Sequence, residues 1–140
     1  MAIRRSIQQY QINSVNNILD ADPHTLISII YQHILGSLAA AKGSIQRDEI
    51  EEKGKNINKA IALIGELIDS LNMEQGGDIS NNLAALYDYS VRKLVDANAE
   101  ANCDLLNEIS LIFIDIKAGW DSIPKQQQIK PDAQATIAGI

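Results

Sequence analysis

Few side chains in this 140-residue sequence are suited to chemistry, and their spacing argues against most of it. The two histidines are His24 and His33. Di-iron helical bundles need Glu three residues before a histidine on facing helices, but Ala21 and Ile30 hold those places. There is no Cys-x-x-Cys-His run for haem, no glycine-rich phosphate loop and no Ser–His–Asp pattern. The reading is therefore no metal, no cofactor and no enzyme. Cys103 precedes Asp104 at the start of a helical segment, but no base or second cysteine accompanies it, and it reads as incidental. Glu49, Glu51 and Glu52 fall in a first helical turn, where they complement the helix dipole and face water. The alternative worth stating is histidine phosphotransfer, which uses a bundle histidine in a His-x-x-Lys-Gly-Ser context. His33-Ile-Leu-Gly36-Ser37 lacks the lysine that supplies charge beside a phosphorylated ring, and Lys42-Gly43-Ser44 has Ala39 where the histidine belongs.

Binding is better supported than catalysis. Gly76-Gly77 is a turn signal that leads into a segment carrying Tyr87 and Tyr89. Positions two apart cannot share a helix face, so one ring enters a core while the other points to the flank or surface.

Four segments with helical periodicity would position these residues. The first starts at Asp22-Pro23, an N-cap followed by proline at the first helical position, and its seam runs Ile27, Ile30, Ile34, Leu38, Ala41, Ile45. The second follows Asp48, with Glu51 at the capping-box position, along Ile57, Ile61, Ile64, Ile68, Leu71. The third follows Gly77 along Ile79, Leu83, Leu86, Ser90, Leu94, Ala97, and the fourth follows Asn102 along Leu105, Ile109, Ile112, Ile116, Ile123. Short connections make successive helices antiparallel. The expected fold is all-α, an up-down-up-down four-helix bundle over residues 22–123. Residues 1–21 read as a mobile, weakly amphipathic arm, and 124–140 as a disordered tail rich in polar and small residues.

Apolar residues exceed what four seams need. Leu63 and Leu67 flank the second seam, Tyr87, Val91 and Val95 the third, and Leu111 and Ile114 the fourth. Either the core stripe is wide, or the bundle carries grooves for another helix. A net charge of −6 argues against nucleic acid or anionic membrane as partner. A single cysteine allows no internal disulfide, and no apolar run approaches the roughly 18 residues that span a bilayer. A soluble cytoplasmic protein is expected.

An ordered set of motifs carries a resemblance. It comprises Tyr10, Pro23-His24-x-Leu26, Lys53-Gly54, Lys59-Ala60-Ile61, Gly76-Gly77-Asp78-Ile79, Asn82-Leu83, Leu86-Tyr87-Asp88-Tyr89, Arg92-Lys93-Leu94, Ala97-Asn98 and Ala118-Gly119-Trp120. In this order, from Tyr10 to Ile123, they resemble the flagellar secretion chaperones of the FliS family. The chain departs from that pattern at Ala2, Asp22, Arg47 and Tyr31-Gln32-His33. The resemblance implies a cytoplasmic, non-enzymatic chaperone that binds the C-terminal segment of flagellin, prevents its premature polymerisation and helps deliver it to the flagellar type III export gate. A homodimer of the free protein stays open. Resemblance and surplus apolar surface together nominate Ile7, Tyr10, Leu63, Leu67, Leu83, Tyr87, Tyr89, Val91, Leu111 and Ile114 for client binding. Ile7 and Tyr10 are expected to cover part of that surface when no client is bound.

Overall fold

A computed structural model describes residues 22–71 and 73–123, and the side chains of 73–76 are left aside. Four helices follow one another: α1 (Pro23–Gln46), α2 (Ile50–Ser70), α3 (Met73–Glu100) and α4 (Cys103–Asp121). No strand occurs among the described residues. α1 packs on α2 and α4, and α3 closes the ring between α2 and α4. This is the expected antiparallel four-helix arrangement.

The helix boundaries follow from local chemistry. Asp22 accepts a hydrogen bond from the Thr25 amide at 2.7 Å, and Pro23 fills the first turn, where no intrahelical donor is needed. Asn102 caps α4 by accepting from the amides of Asp104 and Leu105. α2 departs from expectation: its N-cap is Glu49, which makes no side-chain cap bond, because that carboxylate pairs with Arg47 at 3.1 Å. The connection is instead fixed from the α1 side. The Asp48 and Glu49 amides donate to Ile45 O and Ser44 O, a Schellman closure with Asp48 at φ 58°. α3 ends with a related bond, from the Asn102 amide to Ala97 O, with Ala101 at φ 49°. Near its start α3 is broken at Gly77, whose φ of 55° and ψ of −131° suit a residue without Cβ.

The core is continuous from end to end. Ile34, Leu38 and Ala41 of α1, Ile57, Ala60 and Ile64 of α2, Leu94 and Ala97 of α3, and Ile109 and Phe113 of α4 are fully enclosed. Three seams sit differently from the sequence reading. On α4 the buried positions are Leu106, Ile109, Phe113 and Trp120, while Leu105, Ile112, Ile116 and Ile123 of the expected seam are only half-buried. On α2, Leu63 and Leu67 are buried, while Ile61 is half-buried and Ile68 exposed. α2 is wedged between α1 and α3 and turns the middle of its double apolar stripe inward. On α3, Tyr87 is buried and Leu86 lies outside. The core face there passes through Ser80, Tyr87, Ser90, Leu94 and Ala97, and the hydroxyl of Ser80 hides part of it from a hydropathy pattern.

Two side-chain locks tie distant elements. At the α1–α2 and α3–α4 turn end, the Lys53 ammonium donates to Asn98 O at 2.8 Å, so α2 caps the last turn of α3 with a cation. Gly54 lies against Asn98, where an added Cβ would meet Oδ1 at 3.8 Å. At the opposite end, Trp120 Nε1 donates to His24 O and His24 Nε2 donates to Trp120 O, both at 2.8 Å. A carbonyl can only accept, so the histidine proton sits on Nε2. The two rings stack at 4.7 Å, 9° from parallel. The Lys-Gly/Ala-Asn and Pro-His/Trp motifs are thus two fasteners, one at each end.

Candidate binding cleft

Beside the His24–Trp120 clasp, the junction of α3 and α4 stays open. α3 presents Ile79 and Leu83 and α4 presents Asp115, Ile116, Gly119 and Trp120. Tyr31 and Ile123 complete a cleft of about 310 Å³. Ile79 is 59% exposed although it stands one position from the fully buried Ser80. Asp115 is the charged member of a lining that is otherwise mostly apolar. The volume falls in the range of ligand pockets, but the cleft is open, so it suits side chains projecting from a helix better than an enclosed small molecule.

An aromatic group supports the cleft floor. Tyr31 is edge-on to Trp120 at 6.4 Å and tilted against Phe113 at 6.1 Å, and Phe113 stacks on Tyr87 at 6.0 Å. The Tyr31 and Tyr87 hydroxyls bond each other at 2.7 Å across the core. Burial pushes both hydroxyls up, Tyr87 to about 12 and Tyr31 further, so both stay neutral. Below the cleft Asp121 accepts from Ser28 and Lys117, each at 2.6 Å. Burial pushes its carboxyl up, but these hydrogen bonds outweigh that and hold it below its ordinary value.

The residues expected to bind a client scatter. Leu63, Leu67 and Tyr87 belong to the core, not to surplus surface: the first two fill the middle of the α2 stripe, and Tyr87 is held by Tyr31 and Phe113. Leu83 lines the cleft. Tyr89 is half-buried further along α3, where its hydroxyl bonds Glu108 of α4, which pushes that hydroxyl up, and Lys93 lies 5.6 Å over its ring. The pair therefore divides as its spacing requires, one ring in the core and one on the flank. Val91 is half-buried, and it and the exposed Val95 line a shallow depression with Tyr89, Arg92, Lys93 and Asp96. Leu111 and Ile114 are 63% and 49% exposed. At roughly 100° per residue they point away from the core-facing Phe113, Leu111 most of all. Ile7 and Tyr10, with the expected arm 1–21 and tail 124–140, lie outside the described residues.

Sequence reasoning missed Ile79, Ile116, Trp120, Ile123 and Tyr31 as members of one cleft. Ile79 and Ile123 were visible as the ends of two seams, and Trp120 as the end of a motif, but their meeting depends on how far α3 and α4 close. His33 is half-buried on α1, and burial lowers its pKa. Among the described residues, no group of three or more His, Cys, Asp or Glu is placed to hold a metal ion, and no helix is long and apolar enough to cross a membrane.

The molecule is thus a helical bundle fastened at both ends, with an apolar cleft open between two of its helices. Comparison with known proteins places it further. The family model for flagellar protein FliS matches residues 6–127. Flagellar secretion chaperone FliSB of Pseudomonas aeruginosa is 41% identical over 124 residues, covering 88% of this chain and 98% of its own. Flagellar secretion chaperones FliS of Vibrio cholerae and Bacillus subtilis are each 34% identical, over 125 and 120 residues, covering 89% and 86% of this chain and 92% and 86% of their own. This chain belongs to the FliS family, a family of flagellar secretion chaperones and not of enzymes.

Proposed function

We propose that this protein is a cytoplasmic export chaperone for flagellin, holding its C-terminal helical segment so that it neither polymerises early nor aggregates before delivery to the flagellar type III export apparatus. The observation that carries the reading is the open apolar cleft of Ile79, Leu83, Ile116, Trp120 and Ile123, in a chain of this family. A segment that associates through amphipathic helical faces in a filament can place one such face in the cleft, and the contact then competes with filament formation. Tyr89, Val91, Leu111 and Ile114, with Ile7 and Tyr10 of the arm, are further contacts. The four on α3 and α4 lie on different sides of those helices, so one straight helix does not reach them all. A client that orders along several faces does, and such ordering costs several kcal/mol that an extended contact offsets. With an acidic chaperone the gain comes mainly from apolar burial.

Co-purification with flagellin tests the reading. Flagellin lacking its C-terminal segment should be lost from the complex, while flagellin lacking its N-terminal segment should be retained. Leu83→Asp and Ile116→Asp, at half-buried cleft positions, should each weaken binding at least tenfold with the helical content kept. Affinity should change little between low and moderate salt, because apolar burial is not screened. Retention of the C-terminally truncated flagellin, or loss of orders of magnitude in affinity with salt, would refute it. The flagellar export gate is the proposed second contact.

A further inference from the structure

Gly119 is the odd member of the α4 wall of the cleft. Ile112, Ile116, Gly119 and Ile123 follow one another in steps of four, three and four, so they form one row along that side of the chain. Three of these positions carry isoleucine and the fourth carries no side chain. Glycine weakens a helix relative to alanine, and its usual justifications are a positive φ or the close approach of a neighbour. Neither holds for Gly119 within the described residues. The glycine with positive φ there is Gly77. A Cβ added at Gly119 would meet nothing within 4 Å, whereas at Gly43 it would meet Arg47 at 3.0 Å and at Gly54 Asn98 at 3.8 Å. The gap opens into the cleft that Ile79 and Leu83 line from α3. We propose that Gly119 is the point of closest approach for the client: an amphipathic helix crosses α4 there with a small residue against the glycine, and sets a lysine or arginine one turn away against Asp115.

Shape and charge specify this occupant. Helix axes pack about 8–10 Å apart according to the side chains at their contact. Isoleucines hold a partner toward the far end of that range, and glycine lets it come in at one point. A helix in the cleft therefore lays its apolar face on Ile116 and Ile123 and crosses at Gly119, where its own residue is glycine, alanine or serine. Asp115 stands four residues before Gly119 on the same wall and is exposed. The ion pairs among the described residues are Arg47–Glu49, Arg92–Asp88 and Lys117–Asp121; Asp115 belongs to none of them. A cation three or four residues from the small residue of the occupant lies one turn along its axis, the spacing that separates Asp115 from Gly119. An acidic helix would instead bring like charge to this carboxylate, on a chain whose net charge is already −6.

This inference rests on the cleft being the seat of flagellin's C-terminal segment and adds which residues select it. The sign of one effect tests it. A cleft that only collects apolar area would bind more tightly when a methyl group is added, whereas a close-packed crossing is pushed apart. Gly119→Ala should raise the thermal midpoint by about 1–4 °C, because alanine is the better helix former, and yet weaken flagellin binding about tenfold or more. Gly119→Leu should weaken it further. Gly36→Ala is the control. Gly36 is exposed on α1, outside the cleft lining, and its added Cβ would also meet nothing within 4 Å, so that variant should gain stability with affinity unaltered. Asp115→Asn should weaken binding about two- to fivefold at low ionic strength and less at high salt. Titration calorimetry of the full chain with flagellin reads these affinities. Undiminished affinity in Gly119→Ala, where Leu83→Asp still weakens binding, would overturn this inference and leave the cleft as the client's seat. Flagellin binding indifferent to Leu83→Asp as well would overturn both. Affinity unchanged in Asp115→Asn at low salt would overturn the cationic neighbour and with it the proposed pairing. A Gly119→Ala effect on Trp120 quenching without client, lost on deletion of residues 1–21, would assign the slot to this chain's own arm and overturn the proposal; so would altered self-association with client affinity unchanged.

Discussion

Removing one hydroxyl of the Tyr31–Tyr87 pair should cost more than removing both. The two groups are 1% and 2% exposed and bond at 2.7 Å. Tyr87→Phe deletes one partner and leaves the Tyr31 hydroxyl buried without it, a penalty of about 1–3 kcal/mol. Tyr31→Phe should cost a similar amount. The double Phe variant removes both polar atoms while keeping both rings against Phe113, so its loss should be smaller than the sum by about 1–2 kcal/mol. Urea unfolding followed by Trp120 fluorescence measures this, and each kcal/mol should move the thermal midpoint by roughly 3–8 °C for a bundle of this size. Alkaline pH gives an independent reading. Burial raises the folded pKa of both tyrosines above the ordinary value of 10.0, Tyr87 to about 12. A raised folded pKa means that the stabilisation is complete below pH 10 and is lost as pH rises toward the folded values. Each tyrosine should then remove about 1 kcal/mol between pH 10 and 11, where the unfolded hydroxyl goes from half to mostly ionised. Over that unit the wild type should lose about 2 kcal/mol more than the double Phe variant. Strictly additive single substitutions, together with identical alkaline profiles, would show that the hydroxyls are not coupled in the core.

Three further outcomes are expected. Ala101→Gly should raise stability by about 0.5–1 kcal/mol in chemical denaturation, because Ala101 sits at φ 49° where glycine carries no Cβ penalty; a loss would mean that the turn is held by something other than its backbone. His24→Ala removes a stacked ring and the donor to Trp120 O, so it should cost about 2–3 kcal/mol and increase acrylamide access to the indole, whereas an unaltered Trp120 spectrum and midpoint would remove the clasp from the account. Tyr10→Ala should leave the thermal midpoint nearly unchanged while altering flagellin affinity or self-association; a core-like loss of stability with unaltered affinity would assign Tyr10 to ordinary packing.

Most of the fold could be read from residue types because its signals are local. Asp22-Pro23 and Asn102 announce helix starts through groups that act within three residues, and the seam of α1 keeps a helical period. The α2, α3 and α4 assignments drifted for a physical reason. Ile57, Ile61, Ile64 and Ile68 form one plausible stripe and Ala60, Leu63 and Leu67 an adjacent one, and only the directions of α1 and α3 decide which lies deepest. On α3 the deepest positions include Ser80, whose polarity disguises burial, and Ser90, an expected seam position that satisfies its hydroxyl on Leu86 O at 2.7 Å. The cleft was harder still. Exposure of Ile79 beside the buried Ser80 depends on the separation of two helices, and no local pattern encodes that distance. Lys53 illustrates the reverse: a charged residue in a helix reads as solvated until Asn98 O is found within reach.

The two fasteners give the bundle a direction. The His24–Trp120 end holds the cleft and both points where the chain leaves the described fold. The other end, some 35 Å away by the length of α1, is made of two tight turns and Lys53, with Ile50 72% exposed. A load applied at the cleft would reach the His24–Trp120 clasp before the Lys53 lock, so the two ends would yield one after the other rather than together.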